Sequence, residues 1–300
     1  MATAWVAGSV RARALARRRL GPAGARALAT GGSLDTALES LARSPYGRDV
    51  RPGQSLLDAQ RGIAASLLWH LRVLAGWLPA EGAQSVRSLA GWFEIANVED
   101  RTGRSAPYRL GRLQVAWPRL AAAGSAEQLR AVLATSAWGD PGGDTPRLVG
   151  LRMRCAWAER AAEVSDSARA WAAGGVALLL ARERFAAGRD LPAQAVAPAV
   201  RLLGETWLDA ATLAEAGGRL PRAARGALAD ITDPADLWRA ETSWWHRLEQ
   251  DGFALLRRPD FGPDAAVGAV AVLAADARRV AGALELAARH AAPEVVDALA

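Results

Sequence analysis

SLDTALESLARSPYG, Ser33 to Gly47, and SAEQLRAVLATSAWG, Ser125 to Gly139, are the two stretches on which the fold is read. They align without a gap 92 residues apart (125 minus 33), pairing Ser33 with Ser125, Asp35 with Glu127, Leu41 with Leu133, Ala42 with Ala134, Ser44 with Ser136, Tyr46 with Trp138 and Gly47 with Gly139. Each reads as a short helix whose opening serine accepts hydrogen bonds from free N–H groups of the first turn. Each closes on an aromatic residue followed by glycine. In the second copy Ser125 and Gln128 have the spacing of a capping box. A shared offset and a shared aromatic-glycine ending mark a repeated helical unit rather than a chance likeness of two alanine-rich helices. Tyr46, Gly47, Trp138 and Gly139 are therefore expected to be structural anchors of the repeat.

Outward from these copies the pattern is short helix, long helix, long helix. The first copy is followed by helical stretches from Leu56 to Leu78 and Ser85 to Val98, the second by Arg147 to Trp171 and Val176 to Arg189. In the first long stretch Leu67 and Leu74 recur at seven, and Ala64, Leu71 and Leu78 form the adjacent row, giving one apolar stripe that stops at Pro79. A third unit is expected near the C-terminus, with Arg222 to Ala229, Pro234 to Gln250 and Ala265 to His290 supplying the three lengths but no aromatic-glycine ending. Asp233 before Pro234 reads as an N-cap, and Gly252 as the stop of that helix. Period-two alternation rich in β-branched residues is hard to find, so the expected fold is all-α.

Composition narrows the class further. Half of the residues are apolar (51%), enough for a large core. The single cysteine, Cys155, rules out an intrachain disulfide framework or a thiolate metal cage, and reads as a small buried hydrophobe. All 37 cations are arginines, giving a net charge of +6. They are spread along the chain without a dominant cluster, so no nucleic-acid partner is expected. Arg11 to Leu20 is rich in arginine, but no apolar segment of signal-peptide type follows it, so it reads as mature helix. The longest apolar runs, Ala172 to Ala181 and Ala265 to Ala275, fall short of the roughly 20 residues that span a bilayer.

Chemistry is harder to find. His70, His246 and His290 lie far apart without ligand spacing, and no phosphate-cradling glycine loop or nucleophile elbow is present. Carboxylate pairs such as Glu94 with Glu99 read as solvated charges on helix faces. The expectation is no catalytic residue, no cofactor and no metal site. The 12 tryptophans read mainly as core, with Trp92, Trp244 and Trp245 as candidates for a partner interface.

Five segments carry a family resemblance: SVRARALARRRL (Ser9 to Leu20), LDTALESLARSPYGRDV (Leu34 to Val50), GWFEIANVEDRTGR (Gly91 to Arg104), LRAVLATSAWGD (Leu129 to Asp140) and AVGAVAVLAADARRVAGALELAARH (Ala266 to His290). Together they resemble the C subunits of archaeal and bacterial A/V-type ATP synthases, a family related to the d subunits of eukaryotic V-ATPases. Trp92, Glu94 and Asn97 echo the aromatic, acidic and Asn pattern that closes the family's first unit. The chain departs from the family in lacking lysine and in a middle region, Arg147 to Arg201, that shows little beyond helix.

The resemblance implies three similar helical units, 1–112, 113–205 and 206–300, around a pseudo-threefold axis in the shape of a funnel. It implies a non-catalytic central-stalk subunit of a rotary ATPase, a socket coupling the membrane rotor ring to the central shaft during proton transport and ATP turnover. Its partners would be the rotor-ring proteolipid subunits and the shaft subunits, with the membrane sector reached only through protein. Its place would be peripheral, on the cytoplasmic face of the plasma membrane. A helical-repeat adaptor unrelated to a rotary ATPase is the alternative.

Overall fold

A computed structural model describes residues 3–101 and 106–290. Among these residues the regular structure is helical throughout and no strand occurs, as expected. From the N-terminus run α1 (Thr3–Arg17), α2 (Gly21–Ala29), α3 (Leu34–Ala42), α4 (Leu56–Trp77) and α5 (Ala80–Leu89). Next come α6 (Trp92–Glu99), α7 (Arg119–Ala122), α8 (Ala126–Ala134), α9 (Pro146–Ala162) and α10 (Asp166–Ala181), the last running into a π-helical turn at Arg182–Ala186. α11 (Ala193–Leu203), α12 (Leu213–Gly218), α13 (Leu237–Arg257) and α14 (Pro263–Ala288) complete the series. Residues 102–105, which include the end of the Gly91 to Arg104 stretch, and 291–300 of the third sequence unit lie outside the described residues.

The chain forms two compact units, Met1–Val86 with Leu248–Ala300, and Arg87–Arg247. Their boundaries fall elsewhere than the 112/113 and 205/206 divisions of the sequence repeat, because the last long helix packs on the first helices of the chain as well as on α13. In the first unit α14 is the central member. It is buried along most of its length, with Ala265, Val272, Val280 and Leu284 among its core residues, and it packs against α1, α2, α3 and α4. Small residues make that possible. A Cβ at Gly268 would stand 2.5 Å from the carbonyl oxygen of Gly252, so the backbones of α13 and α14 touch at this crossing. Gly252 thus sits inside α13, which continues to Arg257, instead of ending it. Its glycine serves close packing rather than chain reversal.

In the second unit α9 packs against α10, α11 and α6. One buried cluster joins α9, α10, α11 and α12 around Trp207, with Cys155 fully buried within it. Another gathers Leu133, Trp138, Ile95 and Met153. Local capping explains where the helices differ from expectation. The stretch Arg147 to Trp171 is two helices, because the Ser165 side chain accepts from Ala168 N at 3.1 Å and opens α10. The stretch from Ser85 to Val98 breaks ahead of Gly91, where a Cβ would lie 2.9 Å from both the Arg160 guanidinium and the Trp157 ring.

The short helix expected to open a third unit does not form where the sequence placed it. Arg222 to Ala229 holds only a 3-10 turn at Arg225–Ala227. The capped helix is α12, opened by Thr212, whose Oγ1 accepts from Glu215 N at 3.2 Å.

Candidate functional site

In both copies of the repeat the opening serine caps its helix. Ser33 Oγ accepts from Thr36 N at 3.2 Å, and Ser125 Oγ from Gln128 N at 3.1 Å. The second serine then turns the chain. Ser44 Oγ donates to Leu41 O at 2.6 Å and accepts from Tyr46 N at 3.1 Å. Ser136 Oγ does the same with Leu133 O at 2.8 Å and Trp138 N at 3.2 Å. A serine side chain that replaces a backbone partner in this way fixes the turn geometry. The aromatic that follows is thereby aimed into the core of its unit.

Each aromatic meets a buried carboxylate. Tyr46 Oη donates to Asp276 Oδ2 at 2.8 Å, and Trp138 Nε1 donates to Glu94 Oε1 at 2.7 Å. Each carboxylate also takes two successive backbone N–H groups from a chain corner. Asp276 accepts from Leu20 N at 3.0 Å and Gly21 N at 2.7 Å, and Glu94 from Val115 N at 2.6 Å and Ala116 N at 2.8 Å. Three donors thus converge on an acceptor that is 0% exposed at Asp276 and 1% at Glu94. A buried acceptor so supplied is a tertiary clamp, because loss of any one donor leaves polar surface without water or partner.

Glu94 therefore does not sit on a solvated face. Its helix packs against α9, while Glu99 one turn on lies nearer solvent and pairs with Arg154. Asn97 extends the clamp, donating from Nδ2 to Tyr108 O at 3.0 Å and accepting from Tyr108 N at 2.7 Å. Burial, followed by the charge of Asp276, raises the Tyr46 phenol well above its ordinary pKa, which keeps it a donor.

Cations stand beside both clamps, differently arranged. Arg279 pairs with Glu249 through both of its terminal nitrogens and lies 4.0 Å from Asp276. Arg160 instead lies over the Trp138 ring, 4.0 Å from its centroid, and none of its three guanidinium nitrogens has a hydrogen-bond partner. Burial lowers its pKa to about 10, with the charge of Glu94 opposing that shift.

The glycines that close the two copies serve different ends. Gly139 has φ +73°, a left-handed conformation, whereas a Cβ on Gly47 would run into the carbonyl of Ala42. In the second copy Arg152 of α9 donates from Nε to Trp138 O at 2.9 Å, gripping the turn.

The stretch that begins at Thr212 keeps part of this pattern. Thr212 lies 87 residues after Ser125, and at the same register Leu220 matches Leu133 and Gly226 matches Gly139. Gln128 Oε1 accepts from Gly124 N and Glu215 Oε2 from Ala211 N, both at 2.7 Å, so the N-termini of α8 and α12 are closed alike. Arg247 of α13 donates to Gly226 O, as Arg152 does to Trp138 O. Arg225 stands where the aromatic would be, and the clamp does not recur. The sequence signal for this capped helix is Thr212-x-x-Glu215, a capping-box spacing.

Of the three tryptophans singled out as interface candidates, Trp92 stacks on Phe93 with centroids 3.7 Å apart. Trp244 donates from Nε1 to Trp171 O at 3.0 Å and lies against Gly174, and Trp245 meets it edge-on at 4.8 Å. Trp77 and Trp238 are more open, at 53% and 49% exposure.

Burial pushes the Cys155 thiol up to about 12. Among the described residues no group of three or more His, Cys, Asp or Glu is placed to hold a metal ion, and no helix is long and apolar enough to cross a membrane. No family model matches the sequence, and no curated protein is significantly similar to it.

Proposed function

We propose that this chain is a non-catalytic central-stalk subunit of a V/A-type rotary ATPase, a socket that couples the membrane rotor ring to the central shaft. In this reading three similar helical units stand around a pseudo-threefold axis as a funnel. Rotor-ring and shaft subunits are its partners, and the chain is peripheral on the cytoplasmic face of the membrane.

The observation that carries the reading is the recurrence of one clamp, an aromatic from the repeated turn bound to a buried carboxylate that also holds two successive backbone N–H groups. A coupling part must hold its corners against load. Such clamps suit that task, since close-packed helices joined by fully satisfied buried polar groups yield little to strain. The capped helix at Thr212, in register with the second copy, supports counting a third unit.

The test is affinity purification of the tagged chain from its native membranes. Head, shaft and ring subunits of a rotary ATPase are expected to come with it, and rotary-ATPase genes are expected beside its own. A stable monomer that leaves those subunits behind would refute the socket, and a reproducible partner of another kind would favour the helical-repeat adaptor.

A further inference from the structure

The arginines are spread along the chain, but their excess over carboxylates is not. Six of the 37 fall in the first 34 residues, which hold no Asp or Glu, and the chain's 31 carboxylates match the arginines that remain. The first unit thus begins with two helices, α1 and α2, whose only charged residues are arginines.

The outer face of α1 is unusual as well. A surface helix ordinarily buries its apolar stripe and turns charged residues to water. α1 buries Ala12, Leu15 and Ala16 and packs against α4 and α14. Its exposed residues are Thr3, Ala4, Val6, Ala7, Val10 and Ala14, with no charge among them until Arg17. Val6 is 36% exposed and Val10 55%, one turn apart on the same side of the helix. Arg11 and Arg13, both half-buried, flank this strip.

A third apolar group joins it from another element. Arg13 donates to the carbonyls of Leu256, Arg258 and Asp260 at 3.1, 2.6 and 3.0 Å, which ties the loop between α13 and α14 to α1. That grip sets Phe261, 44% exposed, beside the Arg13 guanidinium, 5.6 Å from the ring centroid. The loop brings Arg257 and Arg258 with it, along with Asp260, and Asp264 pairs with Arg258.

Exposed valines and a phenylalanine flanked by arginines fit a surface that is anionic above and apolar beneath, the headgroup layer of a membrane. Arginine suits that layer because its stem lies along apolar surface while its planar head reaches phosphate oxygens. A second copy of this chain does not fit, since the face would meet its own positive charge. We propose that the outer face of α1, together with Phe261, docks on an anionic lipid bilayer, with the helix lying in the plane of the interface. Val6, Val10 and Phe261 enter the headgroup boundary, and Arg17 with its neighbouring arginines faces the lipid phosphates. The socket reading reaches the membrane through protein, whereas this contact is direct. It does not rest on that reading, and its test involves none of the socket's partners.

The test measures co-sedimentation of the full chain with phosphatidylglycerol vesicles against phosphatidylcholine vesicles. Saturable binding to the anionic vesicles alone is expected, weakening as salt is added. Arg17→Gln should weaken it about fivefold. Val10→Asp should abolish it at an unchanged melting temperature, because that side chain is exposed. Leu57→Asp, which changes a residue 58% exposed at the N-terminal end of α4, should leave binding as it is.

A second arm reads insertion itself. Cys155 is fully buried, so in Val10→Cys a thiol-reactive, environment-sensitive fluorophore attaches at position 10. Its emission is expected to shift to the blue on phosphatidylglycerol vesicles and not on phosphatidylcholine. Binding without that shift, equal binding by Val10→Asp, or no preference for the anionic lipid would overturn the proposal. Retention on immobilised poly-L-glutamate without vesicle binding would overturn it too, and would assign the face to an acidic protein.

Discussion

The Tyr46 clamp of the first unit and the Trp138 clamp of the second satisfy the same hydrogen-bond requirement with different parts. One uses a phenol and an aspartate on α14, the other an indole and a glutamate on α6, and both complete the acceptor with two successive backbone N–H groups. The guanidinium beside each does not follow suit. Arg279 is held in ion pairs, whereas Arg160 lies on an aromatic face with its donors unfilled. What recurs is therefore the aromatic, the carboxylate and the backbone corner. The neighbouring arginine stabilises one clamp and is a cost in the other, because a buried guanidinium without acceptors has lost its water for little return.

Substitutions can break this contrast. Trp138→Ala is expected to have the largest effect, about 3–5 kcal/mol from the lost ring alone, with a further loss from the vacated donor to Glu94. Denaturant unfolding measures it, and a change under about 1 kcal/mol would remove Trp138 as an anchor of its unit.

Arg279→Met and Arg160→Met come next, with different signs. Removing Arg279 leaves Glu249 and Asp276 buried without their cation and should cost about 3–5 kcal/mol. Removing Arg160 deletes unpaired donors while an apolar chain of similar reach still covers the indole, so stability should hold or rise. Equal losses in the two variants would show that Arg160 holds Glu94 as Arg279 holds its partners.

Tyr46→Phe keeps the ring and removes one donor to Asp276, an expected loss of about 1–3 kcal/mol. The smallest effect concerns pH. The pKa of His70 is lowered in the folded chain, so on acidification the unfolded chain takes up its proton first. Stability should fall as the pH drops below about 6.5, the ordinary His value, toward the folded one, and His70→Gln should flatten that limb of a pH-dependent melting series. An unchanged acid limb in that variant would place the titrating group elsewhere.

How much of this was legible in sequence depends on how far each interaction reaches along the chain. Ser33, Ser125 and the turn serines Ser44 and Ser136 act on N–H or C=O groups two or three residues away, so their spacing announces them. Glu94 reads as a surface charge because its partners lie 21, 22 and 44 residues on, beyond any local periodicity. Gly252 reads as a helix stop because glycine in sequence does not distinguish chain reversal from close approach, and the facing Gly268 is on another helix.

By itself, the sequence determined that the chain is helical, where the two short helices of the clear repeat begin and which aromatic-glycine turns repeat, since these follow from capping, periodicity and turn chemistry within a few residues. Only the tertiary structure decided what the aromatics bind, which carboxylates are buried, and that α14 packs with the N-terminal helices. Those outcomes rest on groups as much as 256 residues apart that leave water together, and no local pattern encodes which buried donor will find which acceptor.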